Sequence, residues 1–295
     1  MTAAEIAKAL GGRRAGSCYV ARCPAHDDSS PSLAIADGGN GRALVRCHAG
    51  CEQAVVINEL RARGLWDGAA TPRDPVAEAK RRDADLRQER KRTDLALRIW
   101  RERRPAEGSP VETYLRIRGL VRPIPQSIGF HPALRHLDTG LDLPAMVAAV
   151  QSGDGTVVAV HRTYLRADGS GKANVTNAKM MLGPCAGGAV RFAIAGPRLA
   201  IGEGIETCLS VRQECPDMPI WAALSAPGLT KVVIPESVRE LTILADRDDT
   251  GERAAQDLAR RADVATLRVR IARPPNGAKD FNDALLAEQE ERARG

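Results

Sequence analysis

The feature that most constrains the fold is an apolar, β-branched run that ends abruptly in acidic residues, LTILADRDDTGERAAQD at residues 241–257. This pattern predicts a buried strand, a tight turn and a helix. Side chains two residues apart in an extended chain point the same way, so Asp246 and Asp248 direct two carboxylates to one point. That point is the carboxyl end of a strand, where open α/β sheets bind ligands. Close carboxylates repel unless a cation or proton lies between them, which indicates a Mg²⁺ or Mn²⁺ site.

Three other interpretations compete for the same acidic segment. A solvated acidic turn is the simplest. An EF-hand loop fits at Asp246, Asp248 and Gly251, but Asp257 stands where that loop needs Glu, and an apolar strand replaces the preceding helix. The D-x-D-x-T pattern also resembles the nucleophile motif of haloacid-dehalogenase-like phosphatases. Those enzymes place the motif early in the chain, whereas only 45 residues follow Thr250 here.

A second apolar run decides between these interpretations. The segment LAIGEGIE at residues 199–206 predicts another strand, with Glu203 at its carboxyl end and a helix after Gly204. If the two strands are neighbours, Glu203, Asp246 and Asp248 form one acidic cluster. Strand-Glu-Gly followed by strand-Asp-x-Asp and a helix resembles the Toprim domain shared by bacterial primases, topoisomerases and some nucleases. The resemblance covers residues 197–286 and implies that these three acids hold catalytic Mg²⁺ or Mn²⁺.

A further element of the resemblance lies near the end of the chain. Primases carry a Lys-Asp-x-Asp element there that adds an acidic pair. Here Lys279 and Asp280 match, Asn282 replaces the second acid, and Asp283 stands beside it. Asp280 and Lys279 are therefore possible additional site residues, and capping the final helix is the alternative role of Asp283.

Two pairs of metal-ligand residues lie near the start of the chain, Cys23-x₂-His26 and Cys47-x₃-Cys51. Alternating segments at residues 32–36 and 43–46, joined by a Gly-rich turn, predict a hairpin between them. Paired ligands on a hairpin indicate a zinc ribbon. The stretch resembles the Cys-His-Cys-Cys zinc finger at the front of bacterial and phage primases. The second pair is usually spaced by two residues, so His48 is an alternative to Cys47 as a ligand.

Charge is concentrated between these two regions. Residues 73–104 contain 12 basic and 7 acidic residues, within a chain of net charge +6. They predict a charged helix that either faces nucleic acid or is a solvated spacer. Residues 105–195 resemble the subdomain that precedes Toprim in phage and plasmid primase-like proteins. That resemblance implies a basic face that guides single-stranded DNA, here formed by Arg162, Lys172, Lys179 and Arg191.

Composition narrows the remaining possibilities. No apolar run of 18 residues predicts a membrane span, and the first residues do not form a secretory signal. Seven cysteines favour metal ligation in a reducing cytoplasm over disulfides. The GSGK tetrapeptide before Ala173 lacks the residues of a P-loop, so any helicase partner is expected to be a separate protein.

The expected fold class is α/β, a Rossmann-like Toprim catalytic domain preceded by a small α+β basic subdomain and an N-terminal zinc ribbon. The expected boundaries are 1–66 for the ribbon, 67–104 for the charged linker, 105–195 for the basic subdomain and 196–295 for Toprim. The resemblance implies a stand-alone DNA primase that uses NTPs, single-stranded DNA, Zn²⁺ and Mg²⁺ or Mn²⁺. A Toprim nuclease and a non-catalytic, zinc-ribbon DNA-binding accessory protein are the alternatives.

Overall fold

A computed structural model describes residues 1–15, 18–28, 30–38, 43–66, 75–265 and 267–295. The chain forms two compact units, Met1–Asp85 and Leu86–Gly295. No helix built from the described residues combines the length and apolar content that crossing a membrane requires.

The N-terminal unit is a four-stranded antiparallel sheet with two helices. Its strands are paired in chain order, and its elements are α1 (Ala3–Ala9), β1 (Arg13–Ala15), β2 (Cys18–Ala21), β3 (Leu33–Asp37), β4 (Ala43–Cys47) and α2 (Gln53–Ala62). Alternate residues of β3, Leu33 and Ile35, are buried, as expected for a strand with one covered face. The predicted hairpin is confirmed as β3 and β4, although residues 39–42 of its turn lie outside the described residues.

The charged segment forms one long helix, α3 (Pro75–Glu102), which contains the boundary between the two units. Its last turns are not a solvated spacer, because Ala96 and Ile99 are buried in the core of the following sheet. Five of the nine residues at 94–102 are apolar and three of them are consecutive, so the sequence pattern does not single out one buried face of the helix.

The middle region is a second antiparallel sheet with one short helix. It comprises α4 (Pro110–Ile117), β5 (Ile128–Arg135), β6 (Asp142–Gln151), β7 (Val157–Tyr164) and β8 (Lys179–Leu182), with the strands paired in chain order. Strands β6 and β7 form a hairpin about the Ser-Gly-Asp-Gly turn at residues 152–155.

The C-terminal region is a five-stranded sheet in the order β13-β12-β10-β11-β9. Its elements are β9 (Val190–Arg191), β10 (Arg198–Gly202), α5 (Ile205–Glu214), β11 (Ile220–Ala222), α6 (Ala226–Lys231), β12 (Glu240–Leu244), α7 (Asp249–Val264), β13 (Arg268–Ala272) and α8 (Phe281–Arg294). The four strands β10 to β13 run parallel, and β9 joins the edge antiparallel.

The central strands of this sheet are buried on both faces. Leu199 and Ile201 of β10 belong to one apolar cluster, and Ala200 between them belongs to another. Parallel strands covered on both faces are characteristic of α/β folds. The expected fold class is thereby confirmed.

Candidate active site and metal centre

The parallel pairing of β10 and β12 brings the predicted acids to one edge of the sheet. These strands are hydrogen-bonded neighbours, and their last residues, Gly202 and Leu244, are paired. Glu203 follows the first strand directly, and Asp246 lies two residues beyond the second. The prediction that these two strands are neighbours is therefore confirmed.

The carboxylates at this edge influence one another electrostatically. Burial, together with the charges of the neighbouring Glu203, Asp280 and Asp248, raises the pKa of Asp246 to about 6. Burial also raises the pKa of Glu203, with Asp248 adding to the rise and Lys179 opposing it. Among the described residues, no three of these carboxylates converge within 4.8 Å of one another. We call this group of neighbouring carboxylates the acidic pocket, and a divalent cation would neutralise its charge.

Asp248 also begins helix α7. Its Oδ1 accepts hydrogen bonds from the backbone N–H groups of Thr250, at 3.0 Å, and Gly251, at 2.8 Å. A side chain at Gly251 would place Cβ 2.9 Å from the carbonyl oxygen of Asp246, so only glycine lets this helix lie so close to the strand end. The segment thus encodes both the acids and the turn that positions them.

The loop before α8 adds a fourth carboxylate. Asp280, rather than Asp283, caps this helix by accepting hydrogen bonds from the N–H groups of Asn282 and Asp283, at 2.8 and 2.9 Å. The suggested capping role of Asp283 is therefore wrong. The backbone N–H of Arg247 donates to the carbonyl of Lys279 at 2.8 Å, which joins this loop to the turn after β12.

Asn282 has a structural role in place of the second acid. It is completely buried, and its Nδ2 donates to the Arg118 carbonyl at 2.7 Å and to Ser210 Oγ at 3.0 Å. The side chain of Lys279 is exposed and lines a separate cleft of about 740 Å³ between α5 and α8.

Two predicted nucleic-acid contacts, Lys172 and Lys179, converge on a buried acid that sequence analysis missed. Glu206, on the first turn of α5, is 5% exposed. Its carboxylate lies 3.0 Å from Lys179 Nζ and 3.9 Å from Lys172 Nζ, and it accepts a hydrogen bond from Tyr114 Oη at 2.7 Å. Although burial opposes ionisation, the two lysines and the tyrosine lower the pKa of Glu206 to about 2. Its position three residues after Glu203 was the available signal.

The other two predicted nucleic-acid contacts, Arg162 and Arg191, form hydrogen bonds within the protein. Arg162 is 3% exposed, and its guanidinium donates to Tyr164 Oη and to the Met181 carbonyl, both at 3.3 Å. The prediction that it binds nucleic acid is therefore wrong, because charge is visible in a sequence but burial of a single arginine is not. Arg191 lies on β9, donates to the carbonyls of Ser152 and Gly153, and stacks on Trp221.

The four predicted zinc ligands lie together in the N-terminal unit. One ligand atom from each of Cys23, His26, Cys47 and Cys51 lies within 4.8 Å of all the others. His26 Nδ1 is 3.1 Å from Cys51 Sγ and 4.0 Å from Cys47 Sγ. Tetrahedral Zn²⁺ with sulfur ligands about 2.3 Å away places its ligand atoms roughly 3.8 Å apart, so these residues fit that ion. The group includes Cys47 and not the alternative ligand His48.

The surroundings of this group also suit a metal. Asp28 Oδ1 lies 3.6 Å from His26 Nε2, whereas the other ring nitrogen, Nδ1, faces the thiol of Cys51. The same carboxylate accepts hydrogen bonds from Cys23 N at 2.6 Å and from Ser32 Oγ at 2.6 Å. A carboxylate behind a histidine ligand orients the ring and is typical of zinc sites.

Comparison with known proteins identifies the C-terminal region. Residues 198–291 match the family model of the Toprim domain. Residues 90–192 match a domain of unknown function, DUF7146. No curated protein matches the chain.

Several solved structures match the chain at low identity and low TM-score. A DNA primase domain from Pseudomonas aeruginosa is 16% identical, with a TM-score of 0.46 over 69% of this chain and 77% of that one. The zinc-binding and RNA polymerase domains of Aquifex aeolicus primase are 15% identical, with a TM-score of 0.44 over 99% and 81%. The primase fragment of the bacteriophage T7 primase-helicase is 14% identical, with a TM-score of 0.41 over 90% and 94%.

The family match and the parallel sheet with acids at its carboxyl edge agree on the same residues. Residues 198–291 of this chain are a Toprim domain.

Proposed function

We propose that this protein is a DNA primase that joins NTPs into short RNA primers on a single-stranded DNA template. The observation that carries the proposal is the presence, in one chain, of an acidic Toprim edge and a group of four zinc-type ligands. Nucleases of the Toprim superfamily share the acids, whereas the Cys-His-Cys-Cys module is the feature that the chain has in common with primases.

In this proposal Glu203, Asp246 and Asp248 hold Mg²⁺ or Mn²⁺, and Asp280 supports them from the neighbouring loop. The bound cation would lower the pKa of the attacking 3′-hydroxyl and stabilise negative charge on the α-phosphate and the leaving pyrophosphate. Asp246 is the central ligand, because burial and three neighbouring carboxylates disfavour its unpaired charge.

Lys179 and Lys172 would hold phosphate groups beside this pocket. Both lysines are partly exposed, and both form ion pairs with the buried carboxylate of Glu206. Lys179 also lowers the pKa of Glu203, so its charge acts on the acidic edge itself. The four-ligand group would bind Zn²⁺ and stabilise the small N-terminal unit, which we propose contacts the template. A separate helicase and a cytoplasmic location would accompany this activity.

Primer synthesis on a single-stranded circular template tests the proposal. We expect labelled short RNA products from the wild-type protein with NTPs and Mg²⁺ or Mn²⁺, and none from Asp246→Asn. Asp249→Asn is the matched control, because Asp249 is an exposed acid of the same turn. Its products should match those of the wild-type protein.

Two results would overturn the proposal. Cleavage of the template without synthesis would indicate a Toprim nuclease. Template binding with neither activity would indicate a non-catalytic accessory protein.

A further inference from the structure

A second concave site lies in the unit that contains the Toprim domain. It is a cleft of about 810 Å³, lined by the end of α3, the β6–β7 turn, β9 and the loops before β10 and β12. Ala195 and Ser237 of its lining precede β10 and β12, whereas the acidic pocket follows those strands. Five residues of strand, about 16 Å, separate the two edges. The cleft is therefore distinct from the proposed catalytic site.

Two arginine–tryptophan stacks line this cleft. The guanidinium carbon of Arg103 lies 3.5 Å from the ring centroid of Trp100, and that of Arg191 lies 4.1 Å from the centroid of Trp221. The chain has only three tryptophans, and two of them are in this cleft. An indole behind each guanidinium fixes its plane and restricts its motion, which prepares it to bind a ligand.

The two positive charges have little compensation from the protein. Among the described residues, neither guanidinium has a carboxylate within 4.0 Å. Asp154 is the one acid in the lining, and its Oδ1 accepts hydrogen bonds from Ser152 Oγ at 2.6 Å and Thr156 N at 3.0 Å. Burial lowers the pKa of Arg103, and it lowers the pKa of Arg191 against the opposing charge of Asp154, which indicates that both charges are partly desolvated. An anion in the cleft would relieve this cost.

Two buried polar atoms of the lining lack partners. Ser127 Oγ and Arg191 Nε are inaccessible to solvent and make no hydrogen bond in the described structure. In the part of the chain that the structure describes, Arg103 donates only to the Trp100 carbonyl, at 2.7 Å, whereas Arg191 donates to the carbonyls of Ser152 and Gly153, so the N–H groups left for a ligand are mainly those of Arg103. Both atoms are shielded from solvent, so the ligand contacts of the cleft would come from the accessible N–H groups of the arginines rather than from Ser127 Oγ and Arg191 Nε.

We propose that this cleft binds a free nucleoside di- or triphosphate. Guanidinium groups bind phosphate through paired N–H donors, and their planes stack on nucleobases, so two of them recognise both ends of a nucleotide. The volume lies in the range of small-molecule sites, about 300–1,000 Å³. The site lies at the opposite strand ends from the acidic pocket, so binding there does not require the carboxylates that would hold the catalytic cation.

Calorimetry and tryptophan fluorescence test this proposal on the full chain. The background variant carries Trp66→Phe, so that fluorescence comes from the cleft, and Asp246→Asn with EDTA, so that cation-dependent binding is removed. We expect ATP or ADP to bind saturably with a fluorescence change. Arg103→Gln should weaken binding by about tenfold or more. Arg191→Lys, which keeps the charge but loses the paired donors, should weaken it as well.

Arg101→Gln is the matched control, because Arg101 is an exposed arginine two residues away on the same helix. It should leave binding unchanged, with circular dichroism verifying that every variant is folded. The proposal is wrong if ATP and ADP fail to bind at about 1 mM, or if Arg101→Gln and Arg103→Gln weaken binding equally. Binding of single-stranded oligonucleotides without any binding of free nucleotides would also overturn it.

Discussion

Replacing Asp246 with Asn should stabilise the metal-free protein while it removes the proposed activity. The pKa of this carboxyl rises from 3.8 to about 6 because of burial and the neighbouring Glu203, Asp280 and Asp248. Between about pH 4 and pH 6, the folded state therefore keeps a proton on Asp246 that the unfolded state has released. The free energy of unfolding falls as the pH rises from about 4 to 6, and the penalty is complete at pH 7.

The size of the effect follows from the same shift. A rise of this extent corresponds to about 3 kcal/mol. Solvent screening of this partly exposed carboxylate reduces it to about 1–2 kcal/mol. Because 1 kcal/mol moves the melting temperature of a domain this large by about 2–4 °C, Asp246→Asn should raise it by roughly 2–8 °C at pH 7 in EDTA. At pH 4 the difference should disappear.

Added Mg²⁺ should reverse the order of stability. A ligand that binds only the folded state at a hundred times its Kd stabilises that state by about 2.7 kcal/mol. The wild-type protein should gain this stabilisation, and Asp246→Asn should gain little of it. The exposed neighbour provides the control, since Asp249→Asn should not raise the melting temperature in EDTA. Equal melting temperatures of wild type and Asp246→Asn in EDTA, or equal gains with Mg²⁺, would refute the reasoning.

Three further outcomes are expected. Elemental analysis should find about one Zn²⁺ per chain; Cys23→Ser should lower this content and His48→Ala should not, whereas loss in both would contradict the ligand assignment. Tyr114→Phe should lower the free energy of unfolding by about 1–3 kcal/mol in urea denaturation, because Glu206 loses its shortest hydrogen bond; no change would argue against a structural role. Asn282→Asp should destabilise the fold by about 1–3 kcal/mol, because the new carboxylate would replace an amide donor and lie against the carbonyl oxygen of Arg118. Tighter Mg²⁺ binding instead would show that this position belongs to the metal site.

Local sequence patterns were sufficient to predict the sheet edge that holds the acids. Strands β10 and β12 are continuous apolar runs that end in Glu203 and in Asp246, and two such runs in one α/β domain predict a common edge. The paired spacing of Cys23, His26, Cys47 and Cys51 was informative for the same reason, because metal ligands must be close in space. In both patterns each part is local, a pair of ligands or a strand with its terminal acid, and is therefore visible in a short stretch of sequence.

Contacts between distant segments could not be predicted in this way. Glu206 meets Lys172, Lys179 and Tyr114 through chain separations of up to 92 residues. Arg162 is buried because both faces of β7 are covered along residues 159–164, and nothing in its own segment distinguishes it from a surface arginine. Such residues are assigned by tertiary packing, which overrides local charge.

The central claim is that neighbouring strands hold one divalent-cation site, and crystals grown with Mn²⁺ test it most directly. Anomalous scattering should locate Mn²⁺ at the carboxyl edge of the sheet, with oxygen atoms of Glu203, Asp246 and Asp248 within about 2.5 Å of one or two ions. Crystals of Asp246→Asn should lose this signal. Manganese bound elsewhere, or no ion within bonding distance of Glu203 and Asp246, would contradict the account.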